Sequence, residues 1–172
     1  MTVTRLLPIE PLDPKRHDRS AFQSGEPMLD SWLRRVAGQA GRRDGARTYV
    51  ACAGRLVVGY YSLCAFQVDR SSAPDRVRTG RHAIPAVLLA RLAVDETHQG
   101  RGLGAYLLLD ALRTSALVAE RIGVRLMVVH ALNEQAAGFY MHHGFERFET
   151  QPLSLYLMMQ DVRRTLAVSG LD

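Results

Sequence analysis

Lysine is almost absent from this chain. Lys15 is the one lysine in 172 residues, so nearly all of the positive charge is arginine, and the net charge is still +5. That excludes a Walker phosphate loop, which needs a Gly-Lys-Ser/Thr run. Long apolar runs are also missing. None reaches the ~18 residues of a membrane span: Leu56 to Phe66 is too short, and Val87–Val94 is bounded by Pro85 and interrupted at Arg91. Near the N-terminus, Glu10, Asp13 and several prolines stand where a secretory signal would carry its apolar block. Cysteine is scarce as well. Cys52 and Cys64 form no C-x-x-C pair and lie in apolar runs, which predicts buried free thiols rather than a disulfide or metal site. His130, His142 and His143 lack cysteine or acid partners at ligand spacing, so no metal is expected. A cytoplasmic protein with no membrane partner is the expectation.

What is present suits one domain over 1–172, with a core from about 5 to 160 and a short polar tail. The hydrophobic fraction of 47% and charged fraction of 23% are those of an ordinary globular protein. The arginines cluster. Six fall between Arg34 and Arg55 against Asp44, and Arg70, Arg76, Arg78 and Arg81 stand against Asp75. Guanidinium forks match phosphate oxygens, so a polyanionic partner competes evenly with a plain solvated surface.

Along the chain, Arg5 to Ile9 reads as a short strand. Ser24-Gly25 before Glu26-Pro27 marks a helix start, and Leu29, Trp32, Leu33, Val36 and Ala40 trace one apolar helical face. Gly41 to Gly45 reads as a loop. Thr48 to Cys52 and Leu56 to Val68 read as a hairpin, in which Gly59 marks a bulge or a close approach. Residues 69–83 read as a loop or short helix. Ala86 to Val94 reads as a central strand in which Arg91 must find a partner or an exit to water. A helix from Ala105 to about Ile122 follows, with Leu107, Leu108, Ala111, Leu112, Ser115, Val118, Ala119 and Ile122 facing the core and Gly123 ending it. Then come a strand from Leu126 to His130, a helix capped by Asn133 and stopped at Gly144, two strands (Phe145–Thr150 and Leu153–Met159) and a loose or helical tail. The order describes an α+β domain with a mainly antiparallel sheet.

Between the central strand and the long helix lies Gln99-Gly100-Arg101-Gly102-Leu103-Gly104. Alternate glycines let a ligand approach the backbone, and the start of a helix offers unpaired N–H groups and a positive dipole end. A dinucleotide fingerprint fits only loosely, as Gly100, Gly102 and Ala105. Asp95 to Gln99 intervene after the strand, and the next strand ends in His130 rather than an acid.

The hexapeptide matches Q/R-x-x-G-x-G/A, and the chain resembles the GNAT acetyltransferases. The order strand, glycine turn, long helix, strand, Asn133, helix with Tyr140 is similar to theirs. That resemblance implies the GNAT fold, a mixed and mainly antiparallel sheet flanked by helices. It implies acetyl-CoA as cofactor, with Leu92, Ala93 and Val94 along the pantetheine and the amides of Gln99, Gly100, Arg101, Gly102, Leu103, Gly104 and Ala105 on the pyrophosphate. It also implies Asn133 on the pantetheine arm and Tyr140 near the thioester sulfur. A phenol of pKa about 10 is a chemically sensible donor to a departing thiolate. No carboxylate stands out as a general base; Asp95 and Glu134 each have an easy structural role.

The likeness extends from about Phe22 to Met159. Gly25 with Leu29-Asp30 and Trp32-Leu33, Ala46 to Val50, Gly59 to Leu63, Leu89 to Asp95, Phe139-Tyr140 before His143-Gly144-Phe145, and Pro152-Leu153 before Leu155-Tyr156-Leu157 resemble the GNAT toxins of type II toxin–antitoxin modules. This implies acetylation of the α-amine of aminoacyl-tRNA and a block of translation. It further implies a ribbon-helix-helix antitoxin, contact with operator DNA only through that antitoxin, and a homodimer. Arg34, Arg35, Arg42, Arg43, Arg78 and Arg81 are the candidate tRNA contacts. Two alternatives stay open: a GNAT enzyme acting on a protein N-terminus or small-molecule amine, and a catalytically silent binding module. An acid-poor, arginine-rich surface disfavours cationic acceptors.

Overall fold

The computed structural model describes residues 7–78 and 80–170. The first strand, β1, covers Ile9–Pro11. It begins where the expected strand ends, and Arg5 and Leu6 lie outside the described residues. Helix α1, Pro27–Arg35, starts at the proline after Ser24-Gly25, as the sequence predicts. It does not run on to Ala40. The chain steps out of helical geometry at Val36 (φ −113°) and resumes as α2, Ala37–Arg42. The break has a visible cause: Arg19 donates to the Leu33 carbonyl at 2.9 Å, the acceptor that a continuous helix would offer to Ala37. Helix α2 also carries Gly38 and Gly41, so the predicted loop from Gly41 begins only after Arg42.

Strands β2, Arg47–Ala53, and β3, Leu56–Val68, form the expected hairpin. Its register slips between Ala51, which faces Gly59, and Cys52, which faces Val57, so the bulge lies where Gly59 suggested. Residues 69–78 and 80–83 are loop with a 3-10 turn at Arg70–Ser72. Strand β4 is Ile84–Val94 and helix α3 is Leu103–Ala119. Leu107, Leu108, Ala111, Leu112 and Ser115 are buried as predicted. The helix nevertheless stops before Ile122, leaving Val118 and Ile122 exposed, and Gly123 lies beyond it without the positive φ of a helix-ending glycine. Strand β5, Leu126–His130, leads to α4, Glu134–His142. Strand β6 is only Glu146–Arg147, because Phe148 turns into the core with its N–H on the Ser154 carbonyl. Strand β7, Ser154–Met158, is followed by α5, Met159–Val168, so the tail is helical and buries Met159, Val162 and Leu166.

The seven strands make one sheet in the order β1-β2-β3-β4-β5-β7-β6. Among the pairs whose register is described, β4 and β5 run parallel, from Ala86 opposite Leu126 to Leu89 opposite Val129. The others are antiparallel. Two compact units share the chain. One holds the residues up to Cys64 together with Arg91–Ala111, around a core of Phe22, Leu33, Val50, Tyr60 and Ala93. The other holds Ala65–Ala90 and the residues from Leu112 on, around Val77, Ile84, Leu126, Val128, Phe148 and Tyr156. Cys52 and Cys64 are free thiols, half-buried rather than fully enclosed; burial, the largest effect, pushes the Cys52 thiol up to about 11. Among the described residues no helix is long and apolar enough to cross a membrane.

Candidate functional site

Beyond Val94 the chain makes one 3-10 turn, Glu96–His98, before it reaches α3. Asp95 caps that turn. Its buried carboxylate accepts the Thr97 N–H at 3.0 Å, the Thr97 hydroxyl at 2.6 Å and the Gln23 N–H at 2.9 Å. Burial acts to raise this carboxyl, but the hydrogen bonds from Thr97 and Gln23 outweigh it and hold the group below its ordinary pKa. The N–H of Glu96 donates to the Gln23 carbonyl at 2.8 Å. The side-chain amide of Gln99 donates to the carbonyls of Ser24 and Val94, both at 2.8 Å. Ser24 in turn gives its N–H and hydroxyl to Asp30, at 2.9 and 2.6 Å. Segment 22–25, the turn and the first helix are therefore stitched together across more than seventy positions of sequence. Gln99 fixes the loop from within, since its side-chain donors are directed into the protein.

The glycine turn itself is open. Gly100 has φ +74° and Gly102 φ +83°, and a Cβ added at either would meet nothing within 4 Å. None of the N–H groups from Gly100 to Ala105 has a hydrogen-bond acceptor among the described residues; the first that does is Tyr106, on the Gly102 carbonyl at 3.1 Å. A row of unclaimed amides at the positive end of a 17-residue helix is a fit cradle for a pyrophosphate. Arg101 is exposed beside it. Leu103 contributes only its amide, because its side chain packs under Gly59. A Cβ on Gly59 would stand 2.9 Å from Leu107 Cδ1 and 3.2 Å from Leu103 Cδ2, so the glycine lets α3 settle on β3.

In the second unit, Asn133 caps α4, accepting the Ala136 N–H on Oδ1 at 2.9 Å. Its amide NH2 remains available, so capping and ligand contact are compatible. Tyr140 sits on α4 against Phe139 and Phe145, at ring distances of 5.1 and 5.6 Å. It is buried, and burial pushes its phenol well above the usual tyrosine range. The hydroxyl makes no hydrogen bond among the described residues and keeps its proton at neutral pH. That is the state of an acid, not of a base. The two acids that the sequence singled out are committed to structural partners, Asp95 to its turn and Glu134 to Arg147 at 2.6 Å.

The arginine candidates divide. Arg34 donates to the Phe22 carbonyl at 2.7 Å, and Arg78 holds the Ala73 carbonyl and Asp75. The side chains of Arg35, Arg42, Arg43 and Arg81 are exposed and make no hydrogen bond or ion pair among the described residues. Two features had no short-range signal in the sequence: the stitching of segment 22–25 to the turn, and the resting place of Arg91, whose guanidinium carbon lies 4.0 Å over the Trp32 ring.

The profile of the acetyltransferase (GNAT) domain matches residues 44–147. The chain is 45% identical to the tRNA-acetylating toxin of Mycobacterium tuberculosis over 147 residues, covering 85% of this chain and 89% of that protein. The fold is similar to that of AtaT complexed with acetyl-methionyl-tRNAfMet, with a TM-score of 0.85 at 29% identity over 93% of this chain and 99% of that one. It is similar as well to a variant of the AtaT toxin bound to acetyl-CoA and to the C-terminus of the antitoxin AtaR. There the TM-score is 0.83 at 29% identity, over 94% of this chain and 98% of the other.

Proposed function

The chain belongs to the GNAT acetyltransferase family, and from that premise we propose that it moves the acetyl group of acetyl-CoA onto the α-amine of an aminoacyl-tRNA. The modified tRNA is then blocked for translation, and the protein is a toxin neutralised by a cognate antitoxin. The observation that carries the reading is the row of unclaimed amides from Gly100 to Ala105 under open space. Bound acetyl-CoA supplies an acetyl group activated as a thioester. The chain's own residues do the rest. The amides of Gly100 to Ala105 and the Arg101 side chain hold the diphosphate, while the main chain of Leu92, Ala93 and Val94 and the free amide of Asn133 align the pantetheine arm. Gln99 acts from below as the brace of that cradle.

Tyr140 holds a proton at Oη and gives it up as negative charge appears on the leaving sulfur. The α-amine of an aminoacyl ester is a weak base, which lessens the need for a strong general base and accords with the absence of a free carboxylate among the described candidates. Arg35, Arg42, Arg43 and Arg81 supply phosphate contacts that a polyanion needs, with Arg34 and Arg78 shaping the same surfaces. The antitoxin is of the ribbon-helix-helix type and carries any contact with operator DNA. The toxin is a homodimer and works in the cytoplasm.

The deciding experiment incubates the protein with labelled acetyl-CoA and total charged tRNA, beside polyamine and peptide amines. Label is expected on the tRNA. Tyr140→Phe is expected to lose on the order of a hundredfold in turnover while binding acetyl-CoA within about twofold of the parent. Undiminished turnover in that variant would remove the acid role, and label on the other amines alone would remove the substrate.

A further inference from the structure

Four arginines among the described residues are half-buried: Arg19, Arg91, Arg125 and Arg147. A guanidinium withdrawn from water normally keeps acceptors for its N–H groups. Arg19 has the Leu33 carbonyl, and Arg147 has Glu134 and the Pro152 carbonyl. Arg91 and Arg125 have none among the described residues. Arg125 stands at the foot of β5, at the opposite end of that strand from Asn133. Arg91 lies on β4, three residues before Val94, about 10 Å along the strand. It is therefore one short reach from the segment assigned to the pantetheine.

The surroundings of Arg91 are aromatic and uncharged. Its guanidinium lies 4.0 Å over Trp32, which stacks on Tyr60 at 6.0 Å and an interplanar angle of 11°. The Tyr60 hydroxyl is occupied by the Leu29 carbonyl at 2.8 Å. The titratable groups whose fields reach Arg91 are Tyr60 and Cys64, both kept protonated by burial, and no carboxylate is among them. The ring covers one face of the cation and leaves the N–H edge for an acceptor. The arrangement is a half-buried cation held in place without an anion among the described residues.

We propose that Arg91, seated on Trp32, takes the phosphodiester nearest the reacting 3′ end of the charged tRNA and so sets the aminoacyl ester against the acetyl donor. The assignment rests on the aminoacyl-tRNA reading above. A phosphate suits the site because it offers the paired oxygens that a guanidinium fork engages, and because it is the first charge met when moving from the reacting amine into the nucleic acid.

Two measurements test it. In Arg91→Met, the KM for charged tRNA is expected to rise on the order of tenfold with the KM for acetyl-CoA unchanged. The slope of log KM against log salt should fall by about 0.7, as for one lost single-strand phosphate contact; Arg91→Lys should restore that slope. The second measurement needs no variant. Trp32 is the only tryptophan, so a 3′-aminoacylated CCA trinucleotide, excited selectively at the indole, should change the intrinsic fluorescence saturably and in a salt-dependent way. If the wild type acetylates charged tRNA but the Met variant keeps the full salt slope, Arg91 is a structural cation–π residue and the assignment is overturned. A silent Trp32 in the titration overturns it as well, even if the Met variant does not fold. If the wild type acetylates no charged tRNA, the substrate reading itself falls, and this assignment with it.

Discussion

Replacing Asp95 with alanine removes one side chain and releases three donors: the Gln23 N–H, the Thr97 N–H and the Thr97 hydroxyl. A hydrogen bond to a charged group contributes about 1.5–3 kcal/mol net. The full sum does not apply, because two of the donors belong to Thr97 and regain water together when the turn loosens. The Gln23 N–H, in contrast, loses its acceptor beside a segment that stays packed. We expect a loss of about 3 kcal/mol, which for a chain of this length lowers Tm by roughly 6–12 °C. The pH dependence carries a definite sign. The folded pKa of Asp95 lies below its unfolded value, so its stabilisation is complete above the unfolded value of about 4 and fades as pH falls through the lowered folded pKa. Wild type and variant should therefore differ most at neutral pH and converge in acid. Thermal melts from pH 7 down to pH 3 decide the matter, together with the KM for acetyl-CoA, which should rise while kcat changes little. A Tm within about 2 °C of the parent, or a gap that stays constant down to pH 3, would refute the account of the turn.

Two other substitutions probe the cradle from opposite sides. Gly102→Val places a β-branched side chain at φ +83°, in the path of a ligand; acetyl-CoA binding by calorimetry should fall at least tenfold, with strain of about 1–2 kcal/mol in the melt. Gly59→Ala brings a methyl to 2.9 Å from Leu107 Cδ1. Because the obstacle is the end of a flexible side chain, the cost should stay near 1–2 kcal/mol, measured by urea unfolding, and a neutral result would show that α3 does not rest on that glycine.

Legibility in the sequence followed the range of the forces. Asn133 as a cap, the glycine turn, the β2–β3 hairpin and the slip beside Gly59 depend on neighbours a few residues away, and their residue types announce them. The break at Val36 does not, because Arg19, far back in the chain, claims the carbonyl that would have continued the helix. The early end of α3 was hidden for a related reason: Val118 and Ile122 keep the apolar rhythm of the helix yet have no core to enter. Arg91 was recognisable as an anomaly in an apolar strand, and only the fold supplied the tryptophan that answers it. The bonds from Gln23 and Ser24 to Asp95 and Gln99 join residues more than seventy positions apart and have no local signature at all.

Those long-distance bonds have a mechanical meaning. The helix that shows its arginines to solvent and the glycine bend ahead of the long helix share one foundation at Ser24, anchored to Asp30 on one side and to Gln99 on the other. Neither can drift without dragging its counterpart. Whatever leans on the first helix therefore leans equally on that bend, and a load placed on one is felt at the other.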